Sequence, residues 1–141
     1  MSDDAERSVH PLLVAAAPAV LTTYRKDGSA HVSPVWFRFF DGAFEIVIAE
    51  GDVKLRHLER NPECVFVVFE TAPPFRGIEV RCPAELVAGD VTEVRRAIAS
   101  RYLGAERARR FAVQRRAKPG VLLRLAADEW RVWDLLAILP S

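Results

Sequence analysis

Cysteine, methionine and lysine are all scarce in this chain, and each shortage closes off a class of protein. Two cysteines and one methionine occur among 141 residues. Cys64 and Cys82 fall inside apolar runs, and their spacing suits neither a disulfide framework nor a zinc site. They read as buried, reduced thiols that behave as small hydrophobes. No apolar run approaches the ~20 residues of a membrane span, and the opening MSDDAERS is acidic where a secretory leader is basic and then apolar. No membrane association is expected, and the cytoplasm is the expected compartment. There is no elbow motif around a serine, no His–Cys pairing signal and no metal-ligand spacing, so hydrolase and metalloenzyme chemistry find no carrier. No catalytic side chain is singled out. Of 20 basic residues only Lys26, Lys54 and Lys118 are lysine, so each asks for a reason.

A formal net charge of +1 gives no general argument for nucleic acid or a membrane surface. The balance is uneven, however: nine basic residues face three acids between Asp90 and Gly120. The segments RARR and QRRAK lack interleaved aromatics and any recognisable binding motif. They are read as solvated surface, with no nucleic-acid partner.

Half of the residues are hydrophobic, enough for a sizeable core in one domain spanning 1–141. Residues 1–7 are expected to be disordered, and Ser8 is a candidate cap for a short helix through Ala17. AVLTTYR, AHVSPVWFRFF and AFEIVIAE then read as three strands. Asp27-Gly28 and Asp41-Gly42 join them, which predicts an antiparallel meander. ECVFVVFE reads as a buried strand. FRGIEVRCPAELVAG reads as a long one, bent at Gly77 and interrupted at Pro83. Asp90 or Thr92 starts a helix that Gly104 ends, a second helix covers Ala105 to Ala117, and VLLRLAADEWRVWDL supplies one or two last strands. The class is mainly β: six or seven antiparallel strands, a short inserted helix and two peripheral helices. Such strands fit a closed or partly closed barrel better than a sandwich, because closure removes exposed edges.

The inserted helix, within GDVKLRHLERNP, is the feature that asks for a function. Its first turn collects unpaired N–H groups and a partial positive charge, and Lys54 adds a point charge there. Leu55 and Leu58 would face the core while Lys54, His57 and Arg60 point elsewhere. On spacing alone the segment is either an anion site or an amphipathic connector with solvated basic residues.

The order of LTTYRKDGSAHVSPVWF, GDVKLRHLERNP, PPFRGIEVR, RYLG and VLLRLAADEWRVWD resembles the flavin- and deazaflavin-binding split-barrel superfamily that includes pyridoxamine 5'-phosphate oxidase. The nearest likeness is to its actinobacterial branch, which uses the deazaflavin coenzyme F-420 or FMN. The resemblance implies an FMN-binding type of split β-barrel forming a homodimer with cofactor sites at the interface. It implies that Lys54 holds the phosphate, and that Val32, Ser33, Pro34, Val35 and Trp36 run beside the ring. Ile48 and Ala49 would contribute next to them. Phe75, Arg76, Gly77 and Ile78, with Trp130 and Trp133, would close the pocket from the partner subunit. The implied chemistry is hydride transfer between F-420, slightly preferred, or FMN and an unsaturated or quinone-like small molecule. Here the cofactor does the chemistry and the protein binds and orients it. Two departures stand out: Asp52 and Val53 lie where the family has Ser or Thr and then Arg, and His57 lies where Asn is common. They support the alternative of a non-catalytic flavin- or haem-binding module.

Other candidates keep two readings. His31 is a pocket residue or a partly exposed strand histidine. Trp130 and Trp133 are packing residues or a pocket wall. Arg76 reaches an anion across the interface or stays at the surface, and Arg81 is read as solvated. Ser33 and Trp36 lie on opposite faces of their strand.

Overall fold

The computed structural model describes residues 10–116 and 118–141. The expectations for residues 1–7, for a cap at Ser8 and for a helix end at Ala117 lie outside the described residues. Nine strand segments form two antiparallel sheets. In chain order the segments are β1 (Ala19–Tyr24), β2 (Ala30–Pro34), β3 (Arg38–Phe40), β4 (Ala43–Ala49), β5 (Glu63–Phe69), β6 (Gly77–Pro83), β7 (Glu85–Val87), β8 (Gly120–Leu125) and β9 (Trp130–Trp133). One sheet has the order β2-β1-β5-β6-β9 and the other β3-β4-β8-β7. Helix α1 (Val53–Arg60) is inserted between β4 and β5, and α2 (Thr92–Leu103) and α3 (Ala105–Gln114) between β7 and β8.

The predicted strand AHVSPVWFRFF is not one strand. It leaves the five-stranded sheet after Pro34 and enters the four-stranded sheet at Arg38. The second long strand does the same after Pro83, with Ala84 as the step between β6 and β7. Both crossings follow a proline, which has no N–H to give the ladder. The expected three-stranded meander is therefore two hairpins in different sheets. Counted along the chain there are seven strand tracks, two of them bent. The sheets are not closed into a barrel; the hydrogen-bonded ladder is split where the chain crosses.

Turn chemistry follows the residues. Asp41 and Gly42 have φ of 51° and 77°, the pair of positive values a two-residue type I′ turn requires. In the first hairpin Asp27 accepts from the Ser29 N–H at 3.0 Å and hydroxyl at 2.7 Å. The N-terminal helix expected through Ala17 is only a 3-10 turn at Pro11–Leu13, where the His10 ring caps the Leu12 N–H. The inner faces of the sheets meet around Phe37, Phe44 and Phe66, with Leu55 and Leu58 of α1 in the same core. Phe44 lies 5.1 Å from both the Phe66 and the Trp130 ring.

The end of α2 fastens the first crossing. The Arg101 guanidinium donates to the carbonyls of Phe37 and Ala15 and sits 4.5 Å over the Phe37 ring. The Tyr102 hydroxyl donates to the Ala17 carbonyl at 3.1 Å and accepts from the Phe37 N–H at 3.3 Å. Backbone groups that Pro34 frees from the ladder thus find partners on a helix. Among the described residues no helix is long and apolar enough to cross a membrane.

Candidate functional site

Strand β2 is an edge strand with a different environment at each end. At its C-terminal end lies an apolar cavity of about 540 Å³, lined by Ala16–Val20, Pro34, Val35, Trp36, Phe69 and Tyr102. Trp36 is its largest wall. The indole is 39% exposed, stacks on Tyr102 at 5.1 Å and 9°, and leans on Phe111 at 5.8 Å. The lining holds no acid or base other than the Tyr102 phenol, and both polar roles of that phenol are already used. Burial raises its pKa above the ordinary value, so it stays a neutral phenol at physiological pH.

At the other end β2 meets α1. Asp52 caps the helix: one carboxylate oxygen accepts the Lys54 N–H at 2.9 Å, and the other accepts the Lys54 ammonium at 3.0 Å. Burial opposes ionisation of Asp52. The Lys54 hydrogen bonds, its charge and the nearby His31 outweigh that, and the carboxyl is held below its usual value. His57 points inward from the same helix and pairs its Nδ1 with the Thr23 hydroxyl at 2.9 Å. Burial, then His31, Arg60, Arg25 and Arg56, push its pKa down, so it is a neutral buried imidazole. His31, half-buried, faces the His57 ring at 5.3 Å, and its Nδ1 lies 3.3 Å from an Arg25 nitrogen. A guanidinium only donates, so that Nδ1 is the acceptor.

Between these ends Ser33 has a buried hydroxyl oxygen without a partner, unusual for a core polar atom. Its neighbour Val32 is 59% exposed on the opposite face. Of the sequence-selected residues, Pro34, Val35 and Trp36 meet on the cavity. Ile48, Ile78 and Trp130 are buried in the core instead. Ala49 is half-buried, and its carbonyl accepts the Asp52 N–H at 3.1 Å.

Gly77 starts β6, Phe75 and Arg76 lie in the loop just before it, and Trp133 lies opposite Gly77 on the edge strand β9, while β2 forms the opposite edge of the same sheet. Phe75 has φ of 56°. Arg76 is not free to reach outward: it grips Glu70 with two nitrogens at 2.6 and 2.9 Å, and its N–H adds a third bond at 2.7 Å. Those bonds pull the Glu70 carboxyl from 4.5 down to about 2. A depressed folded-state pKa means stability that is complete above the unfolded value and lost as pH falls through the folded one. The stability difference between wild type and Glu70→Gln should therefore be constant above pH 5 and shrink towards zero between about pH 4.5 and 2. Urea unfolding at several pH values measures it, and a difference that persists unchanged at pH 2 refutes the pairing.

Tyr102, Phe69 and Asp52 were not selected as site residues from the sequence. The segment RYLG carried the only signal for Tyr102, as a conspicuous helix ending with no stated partner. Among the described residues no group of three or more His, Cys, Asp or Glu side chains is placed to hold a metal ion.

Whether the arrangement suits a phosphorylated ring cofactor divides into two parts. The ring part fits: the cavity is apolar and aromatic-walled, and an unpaired buried hydroxyl lies one residue from it. The helix start does not suit a doubly charged phosphate, because the chain's own carboxylate already occupies the Lys54 N–H and ammonium.

Comparison with known proteins agrees with this architecture. The profile of the family described as Pyridoxamine 5'-phosphate oxidase matches residues 6–134. Among curated proteins none matches the chain. The conserved hypothetical protein Rv2991 from Mycobacterium tuberculosis superposes with a TM-score of 0.81 at 24% identity, over 100% of this chain and 91% of that one. A structure named F420 reductase superposes at 0.69 and 22% identity, over 85% and 93%. The haem storage protein HutZ from Vibrio cholerae does so at 0.66 and 18%, over 95% of each chain. At these identities the structural likenesses establish the fold alone.

Proposed function

The chain belongs to the pyridoxamine 5'-phosphate oxidase family, and from that premise we propose that it is a homodimeric oxidoreductase that seats a flavin-type ring in the cavity beside Trp36. The observation that carries this reading is the aromatic-walled apolar cavity of about 540 Å³ at the end of β2, where the chain has left its ladder. The split-barrel fold, shared with a structure named F420 reductase, supports the same class of ligand.

The outer face of the five-stranded sheet supports a second copy. Val20 and Val67 pair across β1 and β5, as do Thr22 and Val65, and all four are half-exposed. Beside them Val32 and Pro34 are exposed on β2. A contiguous apolar sheet face in solvent is costly, and a two-fold partner laid on it removes that cost. Such packing would carry the Phe75–Gly77 and Trp133 group, at the far edge of the sheet, towards β2 of the other subunit.

When bound, a ring of this type supplies the two-electron chemistry. This chain's residues then hold and shield. Trp36 and Tyr102 offer a flat wall, Pro34 and Val35 leave backbone free of the ladder, and the apolar lining excludes water. No side chain of the cavity is placed to move a proton. That same fact favours a second reading, in which the protein binds a ring ligand such as a flavin or haem without turnover.

One experiment separates these. Intrinsic tryptophan fluorescence is followed as FMN, the deazaflavin coenzyme, riboflavin and haem are added, with sedimentation reporting the mass. A dimer of twice 15.8 kDa that binds a flavin or deazaflavin below about 100 µM, or ~5.5 kcal/mol, and then reduces a quinone supports the oxidoreductase. Tight binding with no turnover supports the binding module. No binding by any of the four overturns both.

A further inference from the structure

We propose that the cavity between the start of α2 and the start of β8 binds the carboxylate of a small organic acid, with the buried Arg95 guanidinium as anchor. It shares no lining residue with the cavity beside Trp36, so it stands or falls independently of any ring ligand.

Arg95 is 8% exposed, the one buried arginine among the described residues. Buried charges are ordinarily paired. Glu45, the buried acid of this chain, follows that rule, gripped by Arg38 and Arg124. Arg95 does not: among the described residues no carboxylate forms an ion pair with it. Burial and the charge of Arg115 both work against its ionised form, and Asp90 alone acts the other way. The Asp90 carboxylate is already engaged, accepting the Thr92 N–H at 2.9 Å and the Thr92 hydroxyl at 2.6 Å.

The guanidinium is only half used. Its Nη1 donates to the carbonyls of Arg115 and Lys118, each at 3.0 Å, which ties the end of α3 to the entry of β8. The N–H groups on Nε and Nη2 meet no acceptor among the described residues. They are not sealed in the core either, since the Ser33 oxygen is the enclosed side-chain polar atom left without a partner there. Gly120 makes room for this free edge, because a Cβ at that position would stand 2.5 Å from Nη2. The edge formed by Nε and Nη2 is the planar fork that matches the two oxygens of a carboxylate.

The cavity in front of it measures about 430 Å³. Its lining carries three cations, Arg95, Arg116 and Lys118, against the acids Glu50 and Asp90, which leaves one positive charge in excess. All of these except Arg95 are exposed and screened by water, so the buried guanidinium governs the field inside. Lys118, one of only three lysines, stands at the rim. Val91, Pro119 and Val121 give apolar surface to the rest of a ligand, and the volume exceeds what a bare carboxylate fills.

The test adds benzoate, its neutral isostere benzamide, and inorganic phosphate to isotope-labelled full-length protein at neutral pH. Nuclear magnetic resonance follows the Arg95 Nε–H and the Thr92 and Gly120 amides. Benzoate should shift these signals saturably, with a Kd on the order of 10 mM, the range for a ligand of its size. Benzamide should bind at least about tenfold more weakly, because it lacks the charge-assisted pair of bonds. Arg95→Lys, which keeps the charge and loses the fork, should weaken benzoate about tenfold. Ala88→Phe, at an exposed lining position, should fill the space and remove the benzoate shifts without changing the melting temperature.

No saturable shift with benzoate overturns the proposal, as does equal binding of benzamide or unchanged binding in Ala88→Phe or Arg95→Lys. Phosphate that binds more tightly than benzoate overturns the carboxylate assignment. Shifts at Trp36 and Tyr102 in place of these would put the acid in the other cavity and overturn it as well. Should Arg95→Lys fail to fold for want of its carbonyl bonds, benzamide and Ala88→Phe decide the matter alone.

Discussion

Replacing Gly77 by alanine should cost about 3 kcal/mol of stability, the upper part of the range for overpacking a filled site, and should release the Trp133 ring. In the β6–β9 ladder Gly77 and Trp133 are directly opposed. The indole lies across the glycine so closely that an added Cβ would stand 1.9 Å from Cζ2 and 2.2 Å from Cε2. No rotamer adjustment of a few tenths of an ångström relieves such an overlap. Either the indole swings away and gives up its contact with the Arg131 guanidinium, 4.6 Å over the ring, or β9 parts from the sheet. As a four-residue edge strand, β9 has few other bonds to hold it. Urea unfolding gives the stability loss, and a shift in tryptophan emission reports the released ring. A loss below about 0.5 kcal/mol, ordinary for surface substitutions, would mean that Trp133 does not rest on Gly77. The site has more at stake than stability, because Phe75, Gly77 and Trp133 are the group proposed to close a neighbouring subunit's pocket. Gly77→Ala should therefore also weaken ring binding, even in the fraction that stays folded.

How far the sequence foretold this arrangement depends on the range over which each interaction acts. The two Asp-Gly turns were legible because their chemistry is local: positive φ at Asp41 and Gly42, and an aspartate side chain returning to the Ser29 backbone. The end of α2 at Gly104 was equally plain. Its expected cap at Asp90 or Thr92 falls instead on Val91, which offers no side-chain cap, with Asp90 accepting the Thr92 N–H at 2.9 Å just outside the helix. Pro83 marked a break and Pro34 brought no N–H to its ladder, yet nothing local says that a broken strand continues in a different sheet. That follows from Tyr102 and Arg101, 65 and 64 residues beyond Phe37, receiving the freed backbone groups.

The candidate site divides along the same line. Lys54 at a helix start was readable, but its occupation by Asp52 depends on a side-chain rotamer. Arg76 read as reaching an anion across the interface or staying at the surface, and Glu70, six positions earlier, holds it. Trp130 and Trp133 looked equivalent. Strand alternation puts them on opposite faces, three residues apart, but does not say which face is the core. Only the packing of Phe39 and Phe44 shows that Trp130 is the one turned into the core.

Removing the other large aromatic should separate binding from folding. Trp36→Ala should lower affinity for whichever ring ligand binds by about thirtyfold, or ~2 kcal/mol, the loss typical of a tryptophan at the centre of a contact. The indole supplies the broadest flat surface of the cavity, and its partner Tyr102 is fixed by two backbone bonds, so nothing nearby can turn to replace it. Stability should change little. Trp36 is 39% exposed, and the clamp on the first crossing runs through Tyr102 and Arg101. Trp36→Phe should recover most of the affinity, because an aromatic face is kept with less area. Isothermal titration beside a melting curve reads both quantities in one preparation. A uniform loss of stability and binding would make Trp36 a packing residue with no direct part in the site. Unchanged binding would place the ring elsewhere on the molecule, and then the end of β2, where the chain gives up its ladder, would need a different explanation for the cavity it leaves open.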